Sequence, residues 1–383
     1  MDNFIIKNGV LVDKQNGFHS IQLDVAVANG KIQKIEKNLS MEGYEVIDAN
    51  GQYIAPGFID AHIHHRKTMP VHDLGSADHL GVYRGSCTII ECGTVCVDDL
   101  DVFANEVNEC KTRYYALLSG HGEDGFGKAG SQDVDKMHIE HYKNACEKYP
   151  GLVVGLKVAC SNTITNDKGY GLVKKSKEIA NALGMPLTIH VGTFPPDPCG
   201  LVEFLDKNDV ITHTYHGKEI SLFKADGTPK DSFVRARKRG VRFDVGHGSA
   251  SFSWSVYDKA RRKGFFPDMI STDIRKSNIN GPVYSLAVVM SKLLNLGMEL
   301  EDVIKAVTYT PAEIYQLKGL GELKEGAYAD FTFFTIEDVE MELVDCYYQY
   351  QPIKKLICPV KTIVSKGGQS EFYYCNEGDP RIR

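Results

Sequence analysis

Short apolar runs recur along the middle of the chain, separated by longer amphipathic segments. The eight runs cover residues 54–63, 88–92, 114–118, 152–158, 187–191, 210–213, 241–245 and 269–273. Runs of this length predict buried strands, and the segments between them predict helices. One such helix spans Lys174 to Leu183, where Gly184 and then Pro186 mark its end. Eight strands alternating with helices over about 250 residues predict an α/β fold, a (β/α)8 TIM barrel.

A doubly wound open sheet is the alternative to a barrel. Such a sheet usually carries a glycine-rich phosphate-binding turn after its first strand. Here the first apolar run ends instead in His62 and His64. The barrel is therefore favoured.

The two ends of the chain show a different pattern. Residues 1–53 contain short apolar runs separated by Gly and Asn turns, and the Asn29-Gly30 pair is typical of a β-hairpin. A similar pattern returns near residues 329–334 and 357–364. We expect residues 1–53 and 320–383 to form one small β-sandwich domain, and residues 54–319 to form the barrel domain.

Composition excludes several classes of protein. A net charge of −6 over 383 residues gives no basic surface typical of nucleic-acid binding or of a polybasic membrane contact. No apolar run is long enough to cross a membrane, and the first residues lack the pattern of a signal peptide. Ten cysteines are scattered without a Cys-x-x-Cys pair, which favours reduced thiols. We therefore expect a cytoplasmic protein that acts on a small molecule.

The end of the first predicted strand carries two histidines one residue apart, His62 and His64. Side chains alternate across a strand, so both should point to the same side, and neutral imidazole is a common zinc ligand. Active sites of barrels lie at the carboxyl ends of the strands. Other potential ligands stand at the ends of later predicted strands: Lys157 on the fourth, His190 on the fifth, His213 on the sixth and Asp273 on the eighth. These placements predict a metal centre at the mouth of the barrel.

Lys157 is unusual because it stands inside an apolar run. Burying a charged ammonium is unfavourable, so burial lowers the pKa of a lysine and favours the neutral amine. A neutral amine can react with CO2 to give a carbamate, an anionic oxygen donor able to bridge two metal ions. The alternative is an ammonium that turns to solvent or pairs with a carboxylate.

Several segments resemble the amidohydrolase superfamily, and the resemblance covers nearly the whole chain. They are residues 56–64 (PGFIDAHIH), 155–157 (GLK), 188–190 (TIH), 212–213 (TH), 271–273 (STD) and the C-terminal stretch 319–330. Three further segments are similar to its dihydroorotase-like deacetylase and esterase branch: residues 243–248 (FDVGHG), 281–284 (GPVY) and 290–294 (MSKLL). Residues 91–93 (ECG) depart from the Asp-Ala-Gly type of sequence in relatives, which weakens any transfer of their substrate.

The resemblance implies two divalent metal ions, with zinc expected and manganese or iron left open. By this resemblance His62, His64 and Asp273 hold one ion, His190 and His213 hold the second, and carboxylated Lys157 bridges them. A hydroxide shared by the two ions would attack a carbonyl carbon, and Asp273 would pass its proton to the leaving group. Relatives tend to form homo-oligomers, which we expect here by analogy.

The expected function is hydrolysis of an amide or ester bond in a small acylated substrate that carries a carboxylate, such as an N-acyl amino acid or an acylated hydroxy acid. The alternatives are a cyclic amide hydrolase of the dihydroorotase or hydantoinase type, an adenine-type deaminase, and an inactive relative that serves in an assembly. The deaminase is disfavoured because such enzymes in this superfamily usually use one metal ion and no lysine on the fourth strand. The inactive relative is disfavoured because every ligand position is filled.

Four residues near the predicted mouth are candidates for substrate binding: Arg66, His216, His247 and Arg275. A planar guanidinium binds a carboxylate through two hydrogen bonds, which favours Arg66 as an anion clamp. Glycines flank His247 and would let the backbone approach a ligand closely. For the two arginines the alternative is a solvated charge, and for His216 it is an ordinary loop histidine.

Overall fold

The computed structural model describes residues 3–122 and 132–381. Its strands are β1 (Asn3–Asp13), β2 (Phe18–Ala28), β3 (Lys31–Glu36), β4 (Glu45–Asp48), β5 (Tyr53–Pro56), β6 (Phe58–Ile63), β7 (Ser86–Val95), β8 (Arg113–Ser119), β9 (Val153–Cys160), β10 (Leu187–Val191), β11 (Val210–Thr212), β12 (Arg242–Phe243), β13 (Phe331–Val344), β14 (Tyr350–Lys366) and β15 (Gln369–Tyr374). Its α-helices are α1 (Leu100–Asn108), α2 (Ile139–Lys148), α3 (Asn162–Thr165), α4 (Gly169–Leu183), α5 (Pro198–Leu201), α6 (Asp231–Arg239), α7 (Trp254–Arg262), α8 (Leu286–Asn295), α9 (Leu300–Ala306) and α10 (Tyr309–Ile314). The strands form two separate sheets.

Strands from both ends of the chain form the first sheet. Their order is β15-β14-β13-β5-β1-β2-β3, and β4 pairs with β1. Alternate positions of these strands are apolar, and side chains such as Phe4, Val25, Phe331 and Ile363 are buried in a common core. The strands make one continuous hydrogen-bonded sheet, so the two facing sheets of a sandwich stay a prediction.

Seven parallel strands, β6 to β12 in chain order, form the second sheet. The predicted eighth strand, residues 269–273, is not a regular strand. Instead, Met269 forms a parallel bridge with Asp244 just after β12, and Ile274 forms one with Ile63 in β6. This segment therefore pairs with both edges of the sheet. The eight-stranded barrel is confirmed only in part, because single bridges replace its last strand.

The first predicted strand is divided at Gly57. Strand β5 pairs with β1 and β13 in the first sheet, whereas β6 begins the parallel sheet. A Cβ on Gly57 would lie 2.7 Å from the Cβ and Sγ of Cys87, so a side chain has no room where the chain passes between the sheets. The domain boundary predicted after residue 53 consequently falls inside β5.

Helix α4 contains the helix predicted over residues 174–183 and begins earlier, at Gly169. It ends where predicted, because Gly184 adopts a left-handed conformation (φ 66°) and its N–H bonds back to carbonyls of the last turn. Within residues 3–122 and 132–381, no helix has both the length and the apolar character needed to cross a bilayer. None of the ten cysteines, all of which are described, takes part in a disulfide.

An apolar cluster lies at the amino-terminal side of the parallel strands. Ile59, Val154, Val210 and Met269 belong to it, together with side chains of α10. The predicted ligands follow these apolar residues in the sequence by three or four positions; they are His62, Lys157, His213 and Asp273. The fold therefore places an apolar cluster at one end of these segments and the polar candidate site at the other.

Candidate metal centre

The carboxylate of Asp273 lies beside the histidine pair of β6. Asp273 Oδ1 is 3.2 Å from His64 Nε2 and 3.7 Å from His62 Nε2. The amine of Lys157 is 3.3 Å from His62 Nε2. The two imidazole rings are 5.2 Å apart, which agrees with the prediction that both point to the same side.

Two further histidines extend this group. The His213 ring lies 5.2 Å from the His62 ring and 4.3 Å from the His190 ring, measured between centroids. Ligand atoms of His62, His213 and Asp273 all lie within 4.8 Å of one another, and all three residues are buried. The structure thus brings all six predicted ligands together: His62, His64, Lys157, His190, His213 and Asp273.

The donors fit a divalent cation. Asp273 Oδ1 is buried and forms no hydrogen bond with any described residue, although imidazole nitrogens surround it. A buried carboxylate oxygen without a donor is unfavourable unless a cation balances it. Imidazole nitrogen and carboxylate oxygen are the donor types that zinc takes in catalytic sites.

Hydrogen bonds orient the His62 ring. Its Nδ1 lies 3.2 Å from Thr212 Oγ1, and that hydroxyl donates to Asp244 Oδ2 at 2.6 Å. Ser271 Oγ donates to the same carboxylate oxygen at 2.7 Å. Because the hydroxyl proton of Thr212 points to Asp244, His62 Nδ1 is the donor and its Nε2 presents a lone pair to the site.

The same arrangement recurs at two other rings. His64 Nδ1 is 3.1 Å from Glu91 Oε1, and His213 Nδ1 is 2.6 Å from the Gly246 carbonyl oxygen. An acceptor at Nδ1 fixes the tautomer that leaves Nε2 free to bind a metal. Three of the four histidines therefore carry the supporting hydrogen bond that metal ligands usually have.

Burial controls the protonation of these histidines. It is the largest cause that lowers the pKa of His62, His190 and His213 well below the usual value. For His64, burial also acts to lower the pKa, but the two carboxylates beside it, Glu91 and Asp273, together outweigh burial and the pKa is raised. Three neutral imidazoles can bind a cation without first losing a proton.

Two of the ligands stand in a strained backbone conformation. His213 (φ 66°) and Asp273 (φ 49°) are in the left-handed region, which non-glycine residues rarely adopt. The N–H of Asp273 donates to the His62 carbonyl at 2.7 Å, and its carbonyl accepts from Asn278 Nδ2 at 2.9 Å. Such strain persists where surrounding contacts hold it, and it is concentrated at functional sites.

Lys157 is only 4% exposed, and among the described residues no carboxylate lies within salt-bridge distance of its amine. Its Nζ donates to Cys92 Sγ at 3.1 Å. A Cβ on Gly93 would stand 2.7 Å from Lys157 Cγ, so glycine makes the room for this side chain. Neither form of the alternative interpretation, a solvated or an acid-paired ammonium, is therefore observed.

Comparison with known proteins agrees with this geometry. Residues 53–369 match the amidohydrolase family. This chain belongs to the amidohydrolase family. It is 33% identical over 371 residues to a protein named deacetylase from Enterococcus faecalis, which covers 96% of this chain and 98% of that protein. It is 32% identical over 345 residues to a deacetylase from Brucella anthropi, which covers 88% of this chain and 85% of that protein.

Two solved structures are similar to this amidohydrolase over nearly their whole length. A crystal structure described as an adenine deaminase has a TM-score of 0.89 at 32% identity and covers 98% of this chain and all of that one. A crystal structure of a dihydroorotase has a TM-score of 0.87 at 28% identity and covers both chains fully. The predicted family is confirmed, and the amidohydrolase is a hydrolase that acts on carbon–nitrogen bonds.

The structure contradicts Arg66 as an anion clamp. Its side chain is fully buried, within 4 Å of the carboxylates of Asp99 and Glu106, and it donates to the Thr94 carbonyl. The guanidinium also lies over the Phe103 ring. Because the guanidinium is buried and faces these two carboxylates, it is not exposed to a substrate.

The structure also contradicts a direct substrate role for His247. The residue is fully buried, with Nδ1 at 3.0 Å from the Gly248 carbonyl and Nε2 at 2.8 Å from Lys292 Nζ. Both ring nitrogens therefore already have protein partners. Its ring stacks on Phe252, so the residue packs the loop that follows β12.

The roles of the other two candidates, Arg275 and His216, stay predictions. Arg275 is partly exposed, and its Nη2 donates to Asp273 Oδ2 at 3.0 Å. His216 is buried, its Nδ1 accepts from the N–H of Lys218, and its Nε2 has no partner in the described part of the chain.

Sequence reasoning missed the residues that support the ligands. Glu91, Thr212 and Asp244 stand in motifs already noted above, the ECG, TH and FDVGHG segments, but no role was assigned to them. These residues stand directly beside predicted ligands or at the ends of predicted strands, and this position could have indicated a supporting role. Lys292 also stands in a segment noted above, MSKLL, but its mostly apolar neighbours gave no sign of a polar partner.

Gly248→Ala should lower activity at least about 10-fold. An added Cβ would collide with Asp273 Oδ2 and displace the carboxylate, and effects of this size follow small misplacements in active sites. The control is Gly151→Ala, because Gly151 also has a positive φ but its Cβ would meet nothing within 4 Å. Steady-state rates of both variants test this, and equal losses would show that backbone strain alone is responsible.

Lys292→Met should lower the free energy of unfolding, and the loss should grow as the pH rises from about 7 to about 10. Burial lowers the pKa of Lys292 to about 7 from the ordinary 10.5. Between these values the unfolded chain binds more protons than the folded one, so native stability rises with pH. Methionine has no titratable group, so the variant lacks this pH-dependent increase in the free energy of unfolding. Urea unfolding across this range measures it, with exposed Lys224→Met as control; a loss that shrinks with pH contradicts the prediction.

Proposed function

We propose that this amidohydrolase is a metal-dependent deacetylase that cleaves an amide or ester bond in a small acylated substrate carrying a carboxylate. The observation that carries the proposal is the cluster of six predicted ligands, four of them buried, in which Lys157 has no acidic partner among the described residues. The acyl specificity is supported by relatives named deacetylase, which match at 32–33% identity.

Two divalent ions, with zinc as the first expectation, complete the proposed site. His62, His64 and Asp273 would hold one ion, His190 and His213 the other, and carboxylated Lys157 both. When bound, the ions would supply an activated water and polarise the substrate carbonyl. The burial of Lys157 beside His62 supports carboxylation, since a carbamate would turn an unmatched buried cation into an anionic ligand.

Asp273 is the residue proposed to move the proton. Arg275 holds Oδ2, whereas Oδ1 has no hydrogen-bond partner among the described residues and is available to an attacking water. Burial would raise the pKa of Asp273, but the adjacent Arg275 guanidinium, together with the neighbouring histidine pair, outweighs it and keeps the pKa well below the usual value. The ionised carboxylate takes a proton from water and passes it to the leaving nitrogen or oxygen.

Cyclic amide hydrolysis is the second candidate. The similarity to a dihydroorotase structure over the full chain favours it, with a TM-score of 0.87 at 28% identity. Deamination of adenine is a third candidate. It is supported by the similarity to a structure described as an adenine deaminase. Both reactions need an activated water, so the metal centre alone does not separate them from deacetylation.

A substrate panel tests the proposal directly. Purified enzyme loaded with zinc or manganese is given N-acetyl amino acids, acetylated hydroxy acids, dihydroorotate, hydantoins and adenine, and acetate, ring opening and ammonia are measured. Acetate release from the acetylated acids, lost in Asp273→Asn, is the expected result. Turnover of dihydroorotate or adenine with no acetate release overturns the proposal in favour of those reactions.

A further inference from the structure

Lys218 lies beside the second pair of ligands, on the loop that follows β11. Its ammonium lies close to Gly192, the residue that follows β10. A Cβ on Gly192 would lie 3.3 Å from Lys218 Nζ and 3.2 Å from His190 Nε2. The ammonium and the proposed ligand nitrogen therefore border the same small space.

Lys218 is a lysine for which no ion pair is found among the described residues. In the described ranges, no carboxylate lies within salt-bridge distance of its Nζ, although the side chain is only partly exposed. Its Nζ and His190 Nε2 both lie within 3.4 Å of the position that a Cβ on Gly192 would take, so the ammonium stands beside the proposed ligands. A partly buried, unmatched ammonium is unfavourable by itself, and an anion beside it would remove that cost.

The other cations near the site already have partners. Arg66 is enclosed by acidic residues, and Arg275 is bonded to Asp273. Lys292 donates to the carbonyls of Pro282 and Val344. Among these four cations, Lys218 is therefore the one whose charge is available to bind an anionic ligand.

The Lys218 loop is held in place before any ligand arrives. The N–H of Lys218 donates to His216 Nδ1 at 3.2 Å, and the N–H of Gly217 donates to the Tyr347 hydroxyl at 2.8 Å. Tyr347 belongs to the turn between β13 and β14, where Asp345 accepts from two backbone N–H groups. The backbone that carries the ammonium is therefore already ordered, and binding an anion would restrict only the Lys218 side chain.

We propose that Lys218 binds the carboxylate of the substrate next to the metal ligands. This inference rests on the proposed function and names the residue that would hold the carboxylate of its acylated substrate. It assigns to Lys218 the role that the sequence suggested for Arg66.

The test compares a carboxylic acid with its neutral counterpart. The substrates are the best acetylated acid of the panel and its primary carboxamide. If none is hydrolysed, N-acetylalanine and its carboxamide are used in the binding measurement below. Lys218→Met should lower kcat/KM for the acid about 10- to 100-fold, mainly through KM, and leave the carboxamide unchanged. Lys218→Arg should keep part of the preference. Lys224→Met, which changes an exposed lysine nearby, should change neither rate.

A binding measurement separates this inference from the proposed function. Calorimetry in the Asp273→Asn background gives the Kd of the same acid without turnover, and Lys218→Met should raise it about 10- to 100-fold. Three results for Lys218→Met would overturn the role of Lys218: equal losses of kcat/KM for the acid and the carboxamide, a reduced metal content, or an unchanged Kd. Failure to hydrolyse any acetylated substrate, with the Kd effect present, would overturn deacetylation alone.

Discussion

Asp273→Asn should reduce turnover by about 10²- to 10⁴-fold while much of the metal stays bound. Asparagine keeps an oxygen donor of the same size but cannot accept the proton that the leaving group needs. Four histidines and Lys157 remain to hold the ions. Steady-state kinetics and metal analysis of the same preparation measure both quantities.

The control for Asp273 is Asp302→Asn, a partly exposed residue paired with Lys14 outside the cluster, which should keep full activity and metal content. Loss of metal in parallel with activity would show that Asp273 acts as a ligand only. Near-normal turnover would remove Asp273 from the mechanism altogether.

Lys157→Ala should lower activity by more than about 100-fold and should also lower the metal content. The side chain is buried beside His62, so its removal leaves a cavity where the proposed bridging oxygen atoms would stand. A small carboxylate such as propionate can enter a cavity of that kind and supply the same donor type. Added propionate should therefore restore part of the activity and of the bound metal.

Carboxylation of Lys157 can be measured without activity. Enzyme reconstituted in isotope-labelled bicarbonate should show one carbamate carbon by NMR in the wild type and none in Lys157→Ala. Lys224→Met, prepared in the same way, should match the wild type. A wild type with full metal content but no carbamate signal would contradict the proposed role of Lys157.

The positions of the ligands could be read from the sequence for a simple reason. Each of His62, Lys157, His190, His213 and Asp273 stands at or near the end of an apolar run. Parallel strands in one sheet end at the same edge, so residues distant in the chain meet there. The structure brings these residues together as that rule requires. It differs mainly at residues 269–274, where single bridges replace a regular strand.

The partners of charged side chains could not be read in this way. Arg66 follows the histidine pair directly, yet Glu106 and Asp99, on and beside α1, enclose it. His247 stands in a conspicuous Gly-His-Gly segment, yet Lys292 of α8 occupies its Nε2. Each pairing joins residues more than thirty positions apart, and no local pattern encodes it.

The sequence by itself determined the alternation of strands and helices and the donor atoms at the strand ends, because both follow from local periodicity. Only the tertiary structure decided which cations have partners inside the protein and which, such as Lys218, form no ion pair with a described residue. The physical reason is that charge pairing depends on distances of a few ångströms between distant segments, which the order of residues does not specify.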